Sequence, residues 1–151
     1  MRKHILLLMT VIMLVFTSAS AFAKTEVFDI YGKAHDFASL KNKWIIVNYW
    51  ADWCHVCIEE IPELNKLAAL TKNKPVAIFA INYDELPAKM QKEFAEHYQI
   101  NYPMLRENPF NDRFPHEQIT SLPVTYVISP SGQVRELNGQ LQLDEVMAIV
   151  G

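Results

Sequence analysis

The stretch WIIVNYWADWCHVC, Trp44 to Cys57, decides the fold. Its first half, Trp44 to Trp50, is an apolar run of β-branched and aromatic residues, the composition of a buried central strand. Ala51 to Trp53 form a loop. From Cys54 the pattern turns helical, with Ile58, Ile61, Leu64, Leu67 and Ala68 recurring at spacings of three and four up to about Thr71. Pro62 lies inside that run and is expected to kink the helix. A buried strand therefore delivers two cysteines to the first turn of a helix.

Outward from this segment the chain alternates. Upstream, Val27-Phe28 and Ala34 to Phe37 flank Tyr31-Gly32-Lys33 as a hairpin. Downstream, Val76 to Ile81 (VAIFAI) reads as a second buried strand. Leu86 to Tyr98 reads as a second helix with Pro87 in its first turn. Residues 101–121, with Pro103, Pro109 and Pro115, read as loop. Val124 to Ser129 is a third strand, Pro130-Ser131-Gly132 a turn, Gln133 to Leu137 a hairpin strand, and Leu143 to Val150 a final helix. Alternation predicts parallel pairing through crossovers, and the late hairpin adds antiparallel strands. The expected class is α/β: a central mixed sheet flanked by helices on both faces.

The 151 residues are half apolar and about a fifth charged, enough for one domain with a core. The formal charge is −3 and no basic patch stands out, so nucleic acid is not an expected partner. The beginning reads differently. Arg2, Lys3 and His4 precede the apolar run Ile5 to Phe16, and Ala21-Phe22-Ala23 follows as a small-x-small site. This is the pattern of a secretory signal peptide over residues 1–23, with the folded domain expected over 24–151. The run is short of the roughly 20 residues of a membrane span; an uncleaved anchor is the alternative. Either way the domain is expected on the far side of the membrane, an exported, periplasmic setting. No cysteine near Ala23 offers a lipoprotein anchor.

The chain has only two cysteines, Cys54 and Cys57, three apart. They cannot make a framework of several bridges, and an exported compartment permits a redox role. At a helix N-terminus, free backbone N–H groups and the helix dipole stabilise a thiolate, which designates Cys54 the nucleophile. Cys57, one turn on, is placed to resolve a mixed disulfide on Cys54. His55 between them would favour the thiolate if cationic; the alternative is a solvent-facing spacer. A zinc site needs three or four ligands, and His35, His97 and His116 are scattered and read as solvated surface residues, so no metal and no cofactor is expected. Of the aromatic residues, Tyr49 and Trp50 read as core, and Trp53 as a wall of a substrate groove.

These residues resemble the thioredoxin-like superfamily. Trp50 to Cys57 (WADWCHVC) is similar to its active-site segment, Pro62 matches its helix proline, and Leu122-Pro123-Val124-Thr125 is similar to its cis-proline loop. The resemblance implies a redox-active Cys54–Cys57 disulfide, a cis bond before Pro123, and substrate backbone received by Trp53, Leu122 and Pro123. The alternative for Pro123 is an ordinary trans loop proline. The exported TlpA/ResA/DsbE group is closer, through Asn48 where cytoplasmic thioredoxins carry a buried Asp, Glu60 three residues after Cys57, Tyr102 to Leu105, and Thr125 to Val134. Glu60 shares a helix face with Cys57. The resemblance makes it a proton carrier for the thiols, against the alternative of a solvated helix glutamate like Glu59. His55-Val56 matches neither thioredoxin nor the DsbA oxidants, and Val124 stands where DsbE proteins carry Glu.

The implied function is a thiol–disulfide oxidoreductase, a reductase of disulfides in exported proteins with apocytochrome c among the candidates. A membrane electron donor of the DsbD or CcdA type would recharge it, and a monomer is the default. An oxidase or isomerase, a copper carrier and a thiol peroxidase are the alternatives. The copper carriers' C-x-x-x-C with histidine is missing, as is the peroxidase pattern of Pro, Thr and a lone Cys.

Overall fold

The computed structural model describes residues 26–151. The expected signal peptide lies outside the described residues, as do the first two residues of the expected domain. The chain folds as β1 (Glu26–Phe28), β2 (Ala34–Asp36), β3 (Trp44–Trp50), α1 (His55–Thr71), β4 (Val76–Asn82), α2 (Ala88–His97), β5 (Met104–Leu105), β6 (Val124–Ile128), β7 (Val134–Asn138) and α3 (Leu143–Val150). Short 3-10 turns cover Phe37–Leu40 and His116–Gln118. Among the described residues no helix is long and apolar enough to cross a membrane.

The main sheet has five strands in the order β5-β4-β3-β6-β7, with β3, β4 and β5 parallel and β6 and β7 antiparallel additions. β3 is central and buried on both faces, as its run of apolar residues interrupted only by Asn48 requires. Side chains alternate along it. Ile46 and Trp50 join Cys57, Ile61, Leu64 and Leu67 of α1, Ala95 of α2 and Val146 of α3 in one core. Val47 and Tyr49 join Phe79, Leu105, Tyr126, Phe110 and Phe114 in the other. All three α-helices contribute to the first core. The second face is covered by the 3-10 turns and the segment after β5, so there the expected helices on both faces take the form of single turns.

Most element assignments hold to within two residues. The loop assigned to 101–121 needs correction, because Met104–Leu105 forms β5 and pairs in parallel with Ala80 and Ile81 of β4. Two residues carry no periodicity to detect. The second helix begins at Ala88, because Pro87 has extended backbone (ψ 139°) and stands outside it as the N-cap. Helix α1 runs unbroken for 17 residues through Pro62.

The β1–β2 hairpin turns at Gly32, whose φ of 84° suits glycine. The hairpin is fastened to the β5 edge: Asp29 bridges to Leu105, and the Ile30 N–H donates to the Met104 carbonyl at 2.9 Å. The buried Asp29 carboxylate accepts from the Tyr31 and Lys33 N–H groups, each at 3.0 Å, and pairs with His35 Nε2 at 2.9 Å. Burial pushes its pKa up, but the hydrogen bonds from His35, Lys33 and Tyr31 outweigh that and hold it below the usual value. His35 is thus not the solvated residue expected: it is half-buried against Asp29 and meets Phe79 edge-on at 5.5 Å. Asp29→Ala strands three donors and is expected to lower unfolding free energy by about 2 kcal/mol, read from urea denaturation. An unchanged midpoint would show that the hairpin is fastened by other contacts.

Candidate active site

The carboxyl end of β3 opens into Ala51 to Trp53, and Cys54 caps α1. The Cys54 N–H donates to the Ala51 carbonyl at 3.1 Å, closing the turn. Cys54 Sγ accepts the Cys57 N–H at 3.2 Å, so the sulfur occupies the N-cap position, where an acceptor satisfies an otherwise unpaired helix donor. The two sulfurs are joined as a disulfide. Cys54 is 8% exposed and Cys57 is fully buried, so an external thiol or disulfide meets Cys54 first. An electron-rich sulfur at a helix N-terminus is the arrangement that favours a thiolate nucleophile.

Glu60 lies one turn beyond Cys57 and is 0% exposed, whereas its neighbour Glu59 is exposed. Its carboxyl is held from two sides. Asn48 Nδ2 donates to Oε1 at 2.8 Å, and the Leu141 N–H donates to Oε2 at 2.7 Å. Burial pushes its pKa above the usual carboxylate range, against the pull of the hydrogen bonds from Leu141 and Asn48. The burial and charge of this pocket are felt at Tyr102, whose phenol is raised by its own burial and then by Glu60. A carboxyl so placed exchanges a proton nearer to neutral pH than a solvated one does.

The Leu122–Pro123 peptide is cis. The register Tyr49↔Val124 sets Pro123 at the same end of the sheet as Trp50 and the cysteine loop. Pro123 is buried and Leu122 half-buried, packing against both cores. The Gly139 N–H donates to the Pro123 carbonyl at 2.9 Å.

Trp53 is 63% exposed and its indole Nε1 donates to Asp84 Oδ2 at 2.8 Å. It meets Tyr83 edge-on at 6.5 Å, and Tyr83 stacks on His116 at 4.0 Å. Tyr83, Asp84, His116 and Glu117 line an open cleft of about 510 Å³. His116, expected to be solvated, is half-buried, with Nε2 3.1 Å from the Tyr83 carbonyl. His97 is exposed, as expected. His55 points away into solvent: its ring is 85% exposed and Nε2 lies 3.2 Å from Glu59 Oε1. Among the described residues no group of three His, Cys, Asp or Glu side chains could hold a metal.

The structure thus places Cys57 and Glu60 on the buried stripe of α1 with Cys54 capping the helix, sets Pro123 and Trp53 at the same sheet end, and leaves the His55 ring in solvent. Sequence reasoning missed Leu141, Tyr83, Asp84 and His116 as parts of this region, and gave Thr125 no part beyond the loop at Pro123. For Glu60 a signal exists: positions 57, 60, 61, 64, 67 and 71 form the buried stripe of α1, and only there does that stripe carry a charge. For Leu141, a backbone donor 81 residues from Glu60, no local signal exists.

Residues 17–137 match the AhpC/TSA family. The chain is 28% identical over 111 residues to the thiol-disulfide oxidoreductase ResA of Geobacillus kaustophilus, covering 72% of this chain and 62% of that protein. With ResA of a Bacillus cereus strain it is 27% identical over 170 residues, covering 97% of each. A crystal structure of a thiol:disulfide interchange protein of the thioredoxin family from Chlorobium tepidum matches with a TM-score of 0.66 and 28% identity, covering 83% of this chain and 89% of that one. With a thioredoxin-like fold and a family match across most of its length, the chain belongs to the AhpC/TSA family.

Proposed function

We propose that this protein is a thiol–disulfide oxidoreductase that reduces disulfides in exported proteins. The observation that carries the reading is the graded exposure at the start of α1: Cys54, the N-cap, keeps 8% exposure, while Cys57 and Glu60 further along the helix have none. The relatives named thiol-disulfide oxidoreductase ResA support it.

In the reducing direction the Cys54 thiolate attacks one sulfur of a substrate disulfide. A mixed disulfide forms on Cys54 and the other substrate sulfur leaves as a thiolate. Cys57 then gives its proton to the Glu60 carboxylate and attacks Cys54 Sγ. The Cys54–Cys57 disulfide forms, the mixed disulfide breaks, and the second substrate thiolate leaves. Two electrons pass from the protein dithiol to the substrate, which takes up two protons. Trp53, Leu122 and Pro123 line the approach and receive the substrate backbone. A membrane electron donor of the DsbD or CcdA type would return the protein to its dithiol form, and apocytochrome c is a candidate client. A signal peptide over residues 1–23 would place a monomeric domain in the periplasm. His55 is assigned no part in tuning the thiols, because its ring is paired with Glu59 and solvated.

The reduction potential tests the direction. Equilibration of the Cys54–Cys57 pair with glutathione and dithiothreitol buffers is expected to give about −250 mV or lower. A value between about −120 and −180 mV would make the protein an oxidase or isomerase and overturn the reductase assignment.

A further inference from the structure

We infer that Asn48, anchored by Thr125, is a positioning residue that holds the Glu60 carboxyl for proton exchange with Cys57. The inference rests on the role proposed above for Glu60. Asn48 sits at the middle of the central strand, directly opposite Thr125 on β6 and Ala80 on β4. It faces the helix side of the sheet, as Ile46 and Trp50 do. One NH2 group makes both contacts, to Glu60 Oε1 at 2.8 Å and to Thr125 Oγ1 at 3.0 Å. On the other flank Ala80 presents only a methyl, so nothing polar draws the amide that way.

The choice of an amide has a chemical reason. It donates to a carboxylate without bringing charge into the pocket. An aspartate here would set a second acidic group against Glu60, and an apolar residue would leave Oε1 without a donor. Asn48, Thr125 and Glu60 are all buried, so water does not compete for these bonds. The second grip on Glu60 is the Leu141 backbone N–H, which every substitution but proline leaves in place. Asn48 is therefore the grip that mutation can test.

The two grips meet at the substrate loop. Thr125 lies two residues after Pro123. Leu141 lies two residues after Gly139, whose N–H is bound to the Pro123 carbonyl. The titratable groups beside Glu60 are Cys57, one turn before it on the same buried stripe of α1, and the Tyr102 phenol from the segment before β5. Strands β3 and β6 and the segment before α3 present Asn48, Thr125 and the Leu141 N–H, none of which titrates near neutral pH.

The test is the pH–rate profile of disulfide closure in the full chain. Reduced protein is mixed with glutathione disulfide, and the second step, attack of Cys57 on the mixed disulfide, is followed by tryptophan fluorescence. Asn48→Ala removes a donor to the charged form and is expected to move the midpoint up by about one pH unit. Thr125→Val keeps the side-chain shape, frees the amide from its anchor and is expected to move the midpoint the same way by less. A wild-type midpoint in either variant overturns the assignment. Glu60→Gln separates the two readings. If it abolishes the titration while Asn48→Ala leaves it in place, the Glu60 role stands and the Asn48 role falls. If Glu60→Gln keeps the wild-type profile, the Glu60 reading itself fails. Should Asn48→Ala not fold, Thr125→Val alone decides.

Discussion

Cys57→Ser is expected to halt turnover after one event and leave the substrate covalently attached to Cys54. The argument is one of access and proximity. Cys54 keeps its exposure and its helix N-terminus, so capture proceeds. Release depends on a sulfur one turn away and held against Cys54 Sγ. Well-oriented intramolecular attack has an effective molarity of about 10⁵ M or more, while a buffer thiol is millimolar. Multiple-turnover reduction of insulin should therefore fall by a factor on the order of 10³ or more. A mixed disulfide should be visible by mass spectrometry and reversed by dithiothreitol. Cys54→Ser should capture nothing, because the remaining thiol is sealed from solvent. Near-normal turnover by Cys57→Ser would mean that Cys57 is not the resolving group.

Trp50→Ala is expected to cost about 3–5 kcal/mol of unfolding free energy, most of what a small domain has. Trp50 is 1% exposed, the largest side chain so buried, and it closes β3 just before the cysteine loop. Its ring meets Tyr98, the residue that caps the end of α2, edge-on at 6.0 Å, and its carbonyl accepts the Tyr83 N–H at 2.8 Å. Truncation opens a cavity between the sheet and two helices, under the loop that sets Cys54. The indole N–H of Trp50 has no partner among the described residues, so its removal returns a little of that loss. Trp53→Ala, three residues away, is expected to change stability by less than about 1 kcal/mol, since the ring lies mostly in solvent. Its effect should fall on KM for protein disulfides. Urea denaturation of the two variants checks the contrast, and equal losses would contradict the placement of Trp50 in the core.

The two tryptophans show where local reading ends. Both stand in WADW, and composition alone treats them alike. Strand alternation directs Trp50 inward, while the direction of Trp53 depends on a loop whose indole partner, Asp84, lies 31 residues on. The glutamates repeat the case. Helical spacing separates the face of Glu60 from that of Glu59, yet its environment comes from Asn48 on β3, Thr125 on β6 and the Leu141 backbone. Histidines 35 and 116 read as solvated because their partners, Asp29 with Phe79 and Tyr83, assemble only on folding.

By itself the sequence determined the strand–helix order, the buried centre of the sheet and a cysteine pair opening a helix. Those features arise from periodicity and composition within a dozen residues, and they survive any arrangement of the rest. Tertiary structure alone decided the two-residue strand β5, the one-sided packing of the α-helices and the clamp on Glu60. Each depends on hydrogen bonds or burial between residues distant in the chain, and a buried polar group acquires its chemistry from whichever donors the fold brings to it.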